Sequence, residues 1–271
     1  MLRGLLEKTL RESWLLITLS CAALGLTMGS FVQILPQFQQ GLTDLIVQVP
    51  FIRTLLSGLM GMDVSDGLTP QMLLVVVWSH PIVLAMVLGF EIAFCTRVPA
   101  GEIEQGTIDV LLGWPVSRKG IYISEGIVWL GAGLLLHAGG LLGFTISAAT
   151  LSDELQPEMG RVLLMLANLL ALYVAIGGVA QCVTTLCNRR GRAVAIILTI
   201  VVASYLVQFL STLWPPADRV VALSIVHYYQ PARVMLNGAL PSRDVLVLLA
   251  VGSTLWVLGG VIWSRRSVLT T

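Results

Sequence analysis

The chain has 271 residues, of which 56% are apolar and only 11% charged. Its mean hydropathy is +0.88. Soluble domains are about a quarter charged, so this composition excludes an ordinary soluble domain and points to a polytopic membrane protein. The net charge of +1 gives no ground for a nucleic-acid or acidic partner.

A helix needs about 20 apolar residues to cross a bilayer. Six runs qualify, at roughly 14–35, 71–95, 121–150, 161–187, 193–213 and 245–263. The expected fold is an all-α polytopic membrane protein, one transmembrane domain over 1–271 with six helices. Before the first run, residues 2–14 place Leu2, Leu5, Leu6 and Leu10 toward one side, with Arg3, Glu7 and Arg11 at i, i+4. This predicts an N-terminal interfacial helix on the inner surface, or else a plain extension of the first span. Glu7, Glu12, the long apolar stretch and the lack of an A-x-A site argue against a cleaved signal.

The first outer loop, 36–70, holds Pro36, Pro50, Pro70, Asp44, Asp63 and Asp66. Its centre, FIRTLLSGLMGM, is too short and broken to span and is expected to lie on the outer surface. In the second run, His80-Pro81 predicts a kink. Glu91 lies about one turn from the inner end, where it is expected to reach the interface or Arg97. An ionisable residue inside a span is a functional candidate.

Between the second and third runs, Pro99 to Leu112 reads as one helix along the inner surface. Glu102, Gln105 and Asp109 share one face, and Ile103, Thr107, Val110 and Leu111 another. Pro99 and Gly101 break the chain before it, Gly113 and Pro115 after it. Arg118 and Lys119 then mark the inner interface, and Glu125 is expected beside it.

Gly25–Gly29 and Gly139–Gly143 carry the small-residue spacing that lets helices approach closely. His137 lies mid-span. Asn168, Gln181 and Gln208 are expected to bond between helices or to line a route. Cys21, Cys95, Cys182 and Cys187 lie in or beside apolar runs, with no CxxC pair and no histidine at ligand spacing. They read as small buried side chains, and no metal site is expected.

Arg189-Arg190-Gly191-Arg192 forms a tight turn between the fourth and fifth runs. The last outer connection, 214–243, opens Trp214-Pro215-Pro216 and continues VVALSIVHYYQPARVML. It is too apolar for a solvated loop and too interrupted to span. It predicts an outer re-entrant helical hairpin before helix 6, or a surface-lying hairpin, with Trp214, Tyr228 and Tyr229 at the interface.

Orientation follows the cations. A cytosolic N-terminus puts eleven of the 16 Lys and Arg inside: Arg3, Lys8, Arg11, Arg97, Arg118, Lys119, Arg189, Arg190, Arg192, Arg265 and Arg266. Only Arg53, Arg161, Arg219, Arg233 and Arg243 fall outside. Both termini inside agrees with six spans. The sequence holds no GxxxxGK[ST] stretch and no nucleophile–base constellation, so ATP hydrolysis by a P-loop is not expected of this chain.

Glu102-x-Glu104-x-Gly106-Thr107, followed by a leucine pair and Pro115-x-Ser117-Arg118, resembles the signature of ABC-2 type permeases. These are the membrane subunits of ATP-binding-cassette transporters, mostly exporters. The resemblance extends over nearly the whole chain, through the six spans, the segment after the second span and the apolar hairpin before the sixth. It implies that the segment is a cytosolic coupling helix seated in a cleft of a P-loop ATPase subunit. Glu102, Glu104, Gly106, Thr107, Asp109, Pro115, Ser117 and Arg118 would face the ATPase or hold the helix in place. Arg189, Arg190 and Arg192 would be a second contact, or an orientation signal that binds anionic lipid.

The resemblance further implies a permease that moves its substrate outward, and spans rich in Leu, Val and Gly with few polar residues suggest a lipid-like or amphipathic one. A second permease copy or a homologous permease would be its partner within the lipid bilayer, and nucleic acid would not. ATP and Mg would sit on the ATPase, with no cofactor on this chain. The expected location is the inner (cytoplasmic) membrane, multi-pass, with both termini cytosolic. An ion-gradient-driven carrier and an ABC-2-like subunit for metalloenzyme maturation are the alternatives.

Overall fold

Long runs of Leu, Val, Ala and Ile without internal proline close every backbone hydrogen bond within one helix, as a bilayer requires. The computed structural model describes residues 2–38, 41, 44, 48–60, 70–152 and 155–267. Its long helices are α1 (Leu2–Ile34), α4 (Pro81–Cys95), α6 (Arg118–Ala148), α7 (Met159–Leu186), α8 (Arg190–Leu213) and α10 (Ser242–Arg265). Shorter ones are α2 (Pro50–Met60), α3 (Pro70–Ser79), α5 (Ile108–Gly113) and α9 (Pro231–Asn237). Among the described residues five helices are long and apolar enough to cross a membrane. A sixth span results if α4 and its continuation Arg97–Glu104, bent by 55°, are counted together.

Two expected boundaries change. Residues 2–14 are no separate interfacial helix, because α1 runs unbroken from Leu2 to Ile34. Leu5, Thr9, Ser13, Ile17, Leu24, Met28 and Val32 are all buried at helical spacing, so one packing stripe continues through both parts. The second run divides at His80, whose extended backbone precedes Pro81 and whose side chain accepts from the Ile82 N–H at 3.2 Å. In the first outer loop α2 is helical, while Asp63 and Asp66 lie outside the described residues.

The predicted glycine pairs meet each other within the chain. A Cβ on Gly143 would stand 1.9 Å from the Gly25 carbonyl oxygen, and one on Gly29 would stand 3.0 Å from that of Gly143. The α1–α6 crossing is therefore backbone against backbone. A second such crossing joins α7 to α10, where a Cβ on Gly178 would stand 2.1 Å from the Gly252 oxygen. Helix α7 is the centre of the bundle: 67% of its apolar window is buried, against 17% for α8 and for α10.

The connection before α10 contains one α-helix, not two. Short 3-10 turns at Pro215–Arg219, Val221–Leu223 and Val226–Tyr228 lead into α9, which Gly238 ends at φ 62°. Polar groups of the spans hold this connection. Asn168 Oδ1 accepts from the Gln230 N–H at 3.0 Å, and the Gln208 Oε1 and His227 Nδ1 atoms are 2.9 Å apart. Tyr229 is buried and its hydroxyl donates to the Trp78 carbonyl at 2.9 Å, so it is not an interfacial residue. Trp214 is exposed.

Candidate functional site

At one end of the bundle the start of α1, the segment 97–117, the start of α6, the end of α7, the start of α8 and the end of α10 come together. Arg266 ties the end of α10 to the carbonyls of Thr185 and Cys187 and to Asn188. Arg118 donates to the Arg266 carbonyl, and its own carbonyl accepts from Trp263 Nε1 at 3.0 Å. The two described ends of the chain thus share this charged end.

The segment itself is built by chain breaks. Thr96 closes α4 by donating to the Ile92 carbonyl at 2.7 Å. Val98 is extended at φ −128°, ψ 131°, which throws the chain across the bundle end, and the Val98–Pro99 bond is cis. Val98, Pro99, Ala100 and Gly101 are buried. A single helical turn, Glu102–Glu104, follows and then stops.

The stop is a glycine cap. The Thr107 N–H donates to the Glu102 carbonyl at 3.0 Å and the Gly106 N–H to the Ile103 carbonyl at 3.1 Å, with Gly106 at φ 70°. This double closure around a left-handed glycine is a Schellman cap. The Thr107 hydroxyl also donates to the Glu102 carboxylate. The expected single helix from Pro99 to Leu112 is therefore two short pieces. Glu102, Gln105 and Asp109 do not share one helix face, and Gly106 acts through its φ, since nothing lies within 4 Å of a Cβ there. Gly106→Val should cost about 1–2 kcal/mol through left-handed backbone strain, and Gly106→Asn much less. Detergent unfolding of the two variants side by side measures this.

Beyond the cap, α5 is held by Ile108 and Leu111, which are buried against Leu5, Val98, Ile121, Tyr122 and Trp263. The opposite face is open: Asp109, Val110 and Trp114 are exposed, with Val110 at 67% and Trp114 at 53%. Pro115 is exposed, and Ser117 caps α6 by accepting from the Gly120 N–H at 3.0 Å.

The acids of the segment bind this chain's own elements. Glu102 pairs with Lys8 of α1 at 3.3 Å, and Lys8 with Glu12 at 2.8 Å. Glu104 accepts from the Arg190 backbone N–H at 2.8 Å. The Arg190 side chain reaches back to the Ala93 carbonyl at 2.9 Å and to Thr96 at 3.3 Å. Glu102, Glu104 and Arg190 are thus positioning residues that fasten the segment to α1, α4 and α8. Arg189 and Arg192 are exposed.

Beneath lies a buried pair that sequence reasoning missed. Arg97 meets Glu125 at 3.1 Å, and Thr9 donates to the same carboxylate at 2.7 Å. Glu125 is 5% exposed, so its carboxylate is paired within the protein and not with solvent. Arg97 also lies 3.8 Å from Glu12 and 5.0 Å from the centre of the Phe94 ring. The available signal was Thr9, a hydroxyl in the apolar stripe of α1. Glu91 does not reach Arg97 or the interface. It is fully buried, accepts from Trp129 Nε1 at 3.1 Å, and its second oxygen has no hydrogen-bond partner.

Among the described residues no group of three or more His, Cys, Asp or Glu is placed to hold a metal. No family model matches this chain, and no curated protein matches it.

Proposed function

We propose that the chain is the membrane permease subunit of an ATP-binding-cassette transporter, docking a separate P-loop ATPase on its charged end. The observation that carries this reading is the exposed face of α5, held from below by Ile108 and Leu111 and fastened at its entry by Glu102 and Glu104. A segment pinned in this way transmits a rigid-body displacement into α1, α4 and α8 together, which a loose loop cannot do. The likeness of Glu102-x-Glu104-x-Gly106-Thr107 to the ABC-2 signature supports it.

In this reading the acids hold the segment, while Asp109, Val110 and Trp114 meet the ATPase. The charged end faces the cytosol of a cytoplasmic membrane, in line with the cation count. A second permease copy closes the apolar groove of about 310 Å³ between α4 and α8, where Leu88, Ile92, Val201 and Tyr205 stand beside the poorly buried face of α8. The substrate, lipid-like or amphipathic, moves outward along that seam.

Two variants test the docking. With the partner ATPase in proteoliposomes, Glu104→Lys is expected to abolish stimulation of ATP hydrolysis by removing the Arg190 link, with the spans still folded. Val110→Asp is expected to weaken association of the subunits without changing unfolding. Full stimulation in both variants would remove the segment from the mechanism.

One observation favours a second reading, an ion-gradient-driven carrier: Glu91 is a fully buried carboxyl with one unpartnered oxygen inside a span. Substrate movement driven by a proton gradient without any ATPase, and lost in Glu91→Gln, would select that reading.

A further inference from the structure

A second groove, of about 280 Å³, opens between α6 and α10 at the charged end. Its walls are Ile123, Trp256, Val257 and Val261, with Lys119 and Arg265 on its rim. No acidic residue lines it. Gly260 gives it depth: a Cβ there would come within 3.0 Å of the Tyr122 ring. The Tyr122 hydroxyl donates to the Trp256 carbonyl at 2.7 Å, so its polar tip is already used and the ring serves as apolar wall.

The rim cations differ from their neighbours in the chain. Arg118 and Arg266 are engaged with backbone carbonyls of this protein. Lys119 and Arg265 are exposed, and neither has a carboxylate within ion-pair distance among the described residues. An apolar slot between two helices apolar enough to cross a membrane, ending in two uncompensated cations, matches the shape and charge of a phospholipid with an anionic head group. A second copy of the chain fits less well, because two-fold pairing in one membrane sets the same cations at the same depth on both sides of the contact.

We propose that this groove holds an anionic phospholipid, with its phosphate between Lys119 and Arg265 and one acyl chain along Ile123, Trp256, Val257 and Val261. Neither the cassette-transporter reading nor the carrier reading is needed for it.

The test is lipid retention by the full chain purified in detergent, read by native mass spectrometry. Palmitoyl-oleoyl phosphatidylglycerol, palmitoyl-oleoyl phosphatidylcholine and inorganic phosphate are titrated separately. Phosphatidylglycerol is expected to bind, and phosphatidylcholine and free phosphate are not. Lys119→Ala/Arg265→Ala should weaken phosphatidylglycerol binding about thirtyfold, the factor for two surface cations worth about 1 kcal/mol each.

Lys119→Arg/Arg265→Lys should keep binding, which separates charge from misfolding. Arg3→Ala/Arg11→Ala, two exposed cations outside the groove, should also keep it, which separates this groove from general basicity. Val257→Trp, which fills the slot while leaving both cations, should lose it. Undiminished binding in the double alanine variant, equal binding of phosphatidylcholine, or competition by free phosphate would overturn the proposal. So would efficient cross-linking of two copies through Val257→Cys.

Discussion

Arg97→Ala is expected to destabilise the bundle by about 3–5 kcal/mol, the cost of breaking a buried ion pair by removing one partner. The cost is not the attraction that is lost but the carboxylate left behind. Glu125 is 7% exposed in its side chain and would keep only the Thr9 hydroxyl as a partner. Arg97 is itself 18% exposed in its side chain, and its distance from Glu12 is too long for a hydrogen bond. Its contact with the Phe94 ring adds about 1 kcal/mol.

Removing both charges reverses the logic, because an apolar pair of similar volume leaves no charge unpaired, and the freed Thr9 hydroxyl can turn to a carbonyl of its own helix. Arg97→Met/Glu125→Leu should therefore be more stable than Arg97→Ala. A double-mutant cycle read by unfolding in mixed micelles measures the coupling. Additive losses at the two positions would show that the pair does not act as one unit.

Gly143→Val is expected to cost about 3 kcal/mol or more, at the top of the range for overpacking. Most oversized side chains find room by rotating a neighbour. Here the neighbour is backbone: the Gly25 carbonyl oxygen, carbonyl carbon and Cα all stand within 2.6 Å of the added Cβ. The only relief is to part α1 from α6, along the stripe from Ile17 to Val32 that depends on their closeness. Gly131→Val on the same helix is the control. That position is exposed with nothing within 4 Å of a Cβ, so its cost should stay below about 1 kcal/mol. Unfolding in detergent measures the difference, and equal midpoints would mean that the crossing can open without loss.

The features legible in the sequence were those written in local chemistry. Runs of apolar residues marked the long helices. Gly25–Gly29 and Gly139–Gly143 carried the signature of a close crossing, although only the fold shows that they meet each other. His80-Pro81 marked a break, and Ser117 sits where a hydroxyl should begin a helix.

What misled was periodicity that ran through a stop. Residues 102, 105 and 109 continue a helical face on paper, while Gly106 takes a left-handed conformation that ends the helix between them. Glu-x-Glu-x-Gly-Thr could have been read as a helix end, since a glycine at that place is the commonest cap. The boundary at residue 14 misled in the opposite way. Charges on the outer side of α1 suggested a separate element, while buried Leu5, Thr9 and Ser13 continued the packing stripe below.

The partners of the charges were not legible at all. Lys8 and Glu102 are 94 positions apart, Arg97 and Glu125 are 28 apart, and Glu104 and Arg190 are 86 apart. No spacing rule joins residues at such separations. For that reason spacing alone left open whether Glu102 and Glu104 face a partner or hold the helix in place; they hold their own segment, and the face left free is Asp109, Val110 and Trp114.

The central claim is that the exposed face of α5 docks an ATPase, and site-specific photo-cross-linking tests it most directly. A photoreactive residue is placed at Val110, with a second at Gly89 on the exposed side of α4 as the control, in the purified permease–ATPase complex in nanodiscs. The account predicts cross-links from position 110 to the ATPase subunit, changing between the ATP-bound and ADP-bound states, and none to the ATPase from position 89, which lines the groove assigned to the second permease copy. An active complex that gives no cross-link from position 110 in either nucleotide state would contradict it.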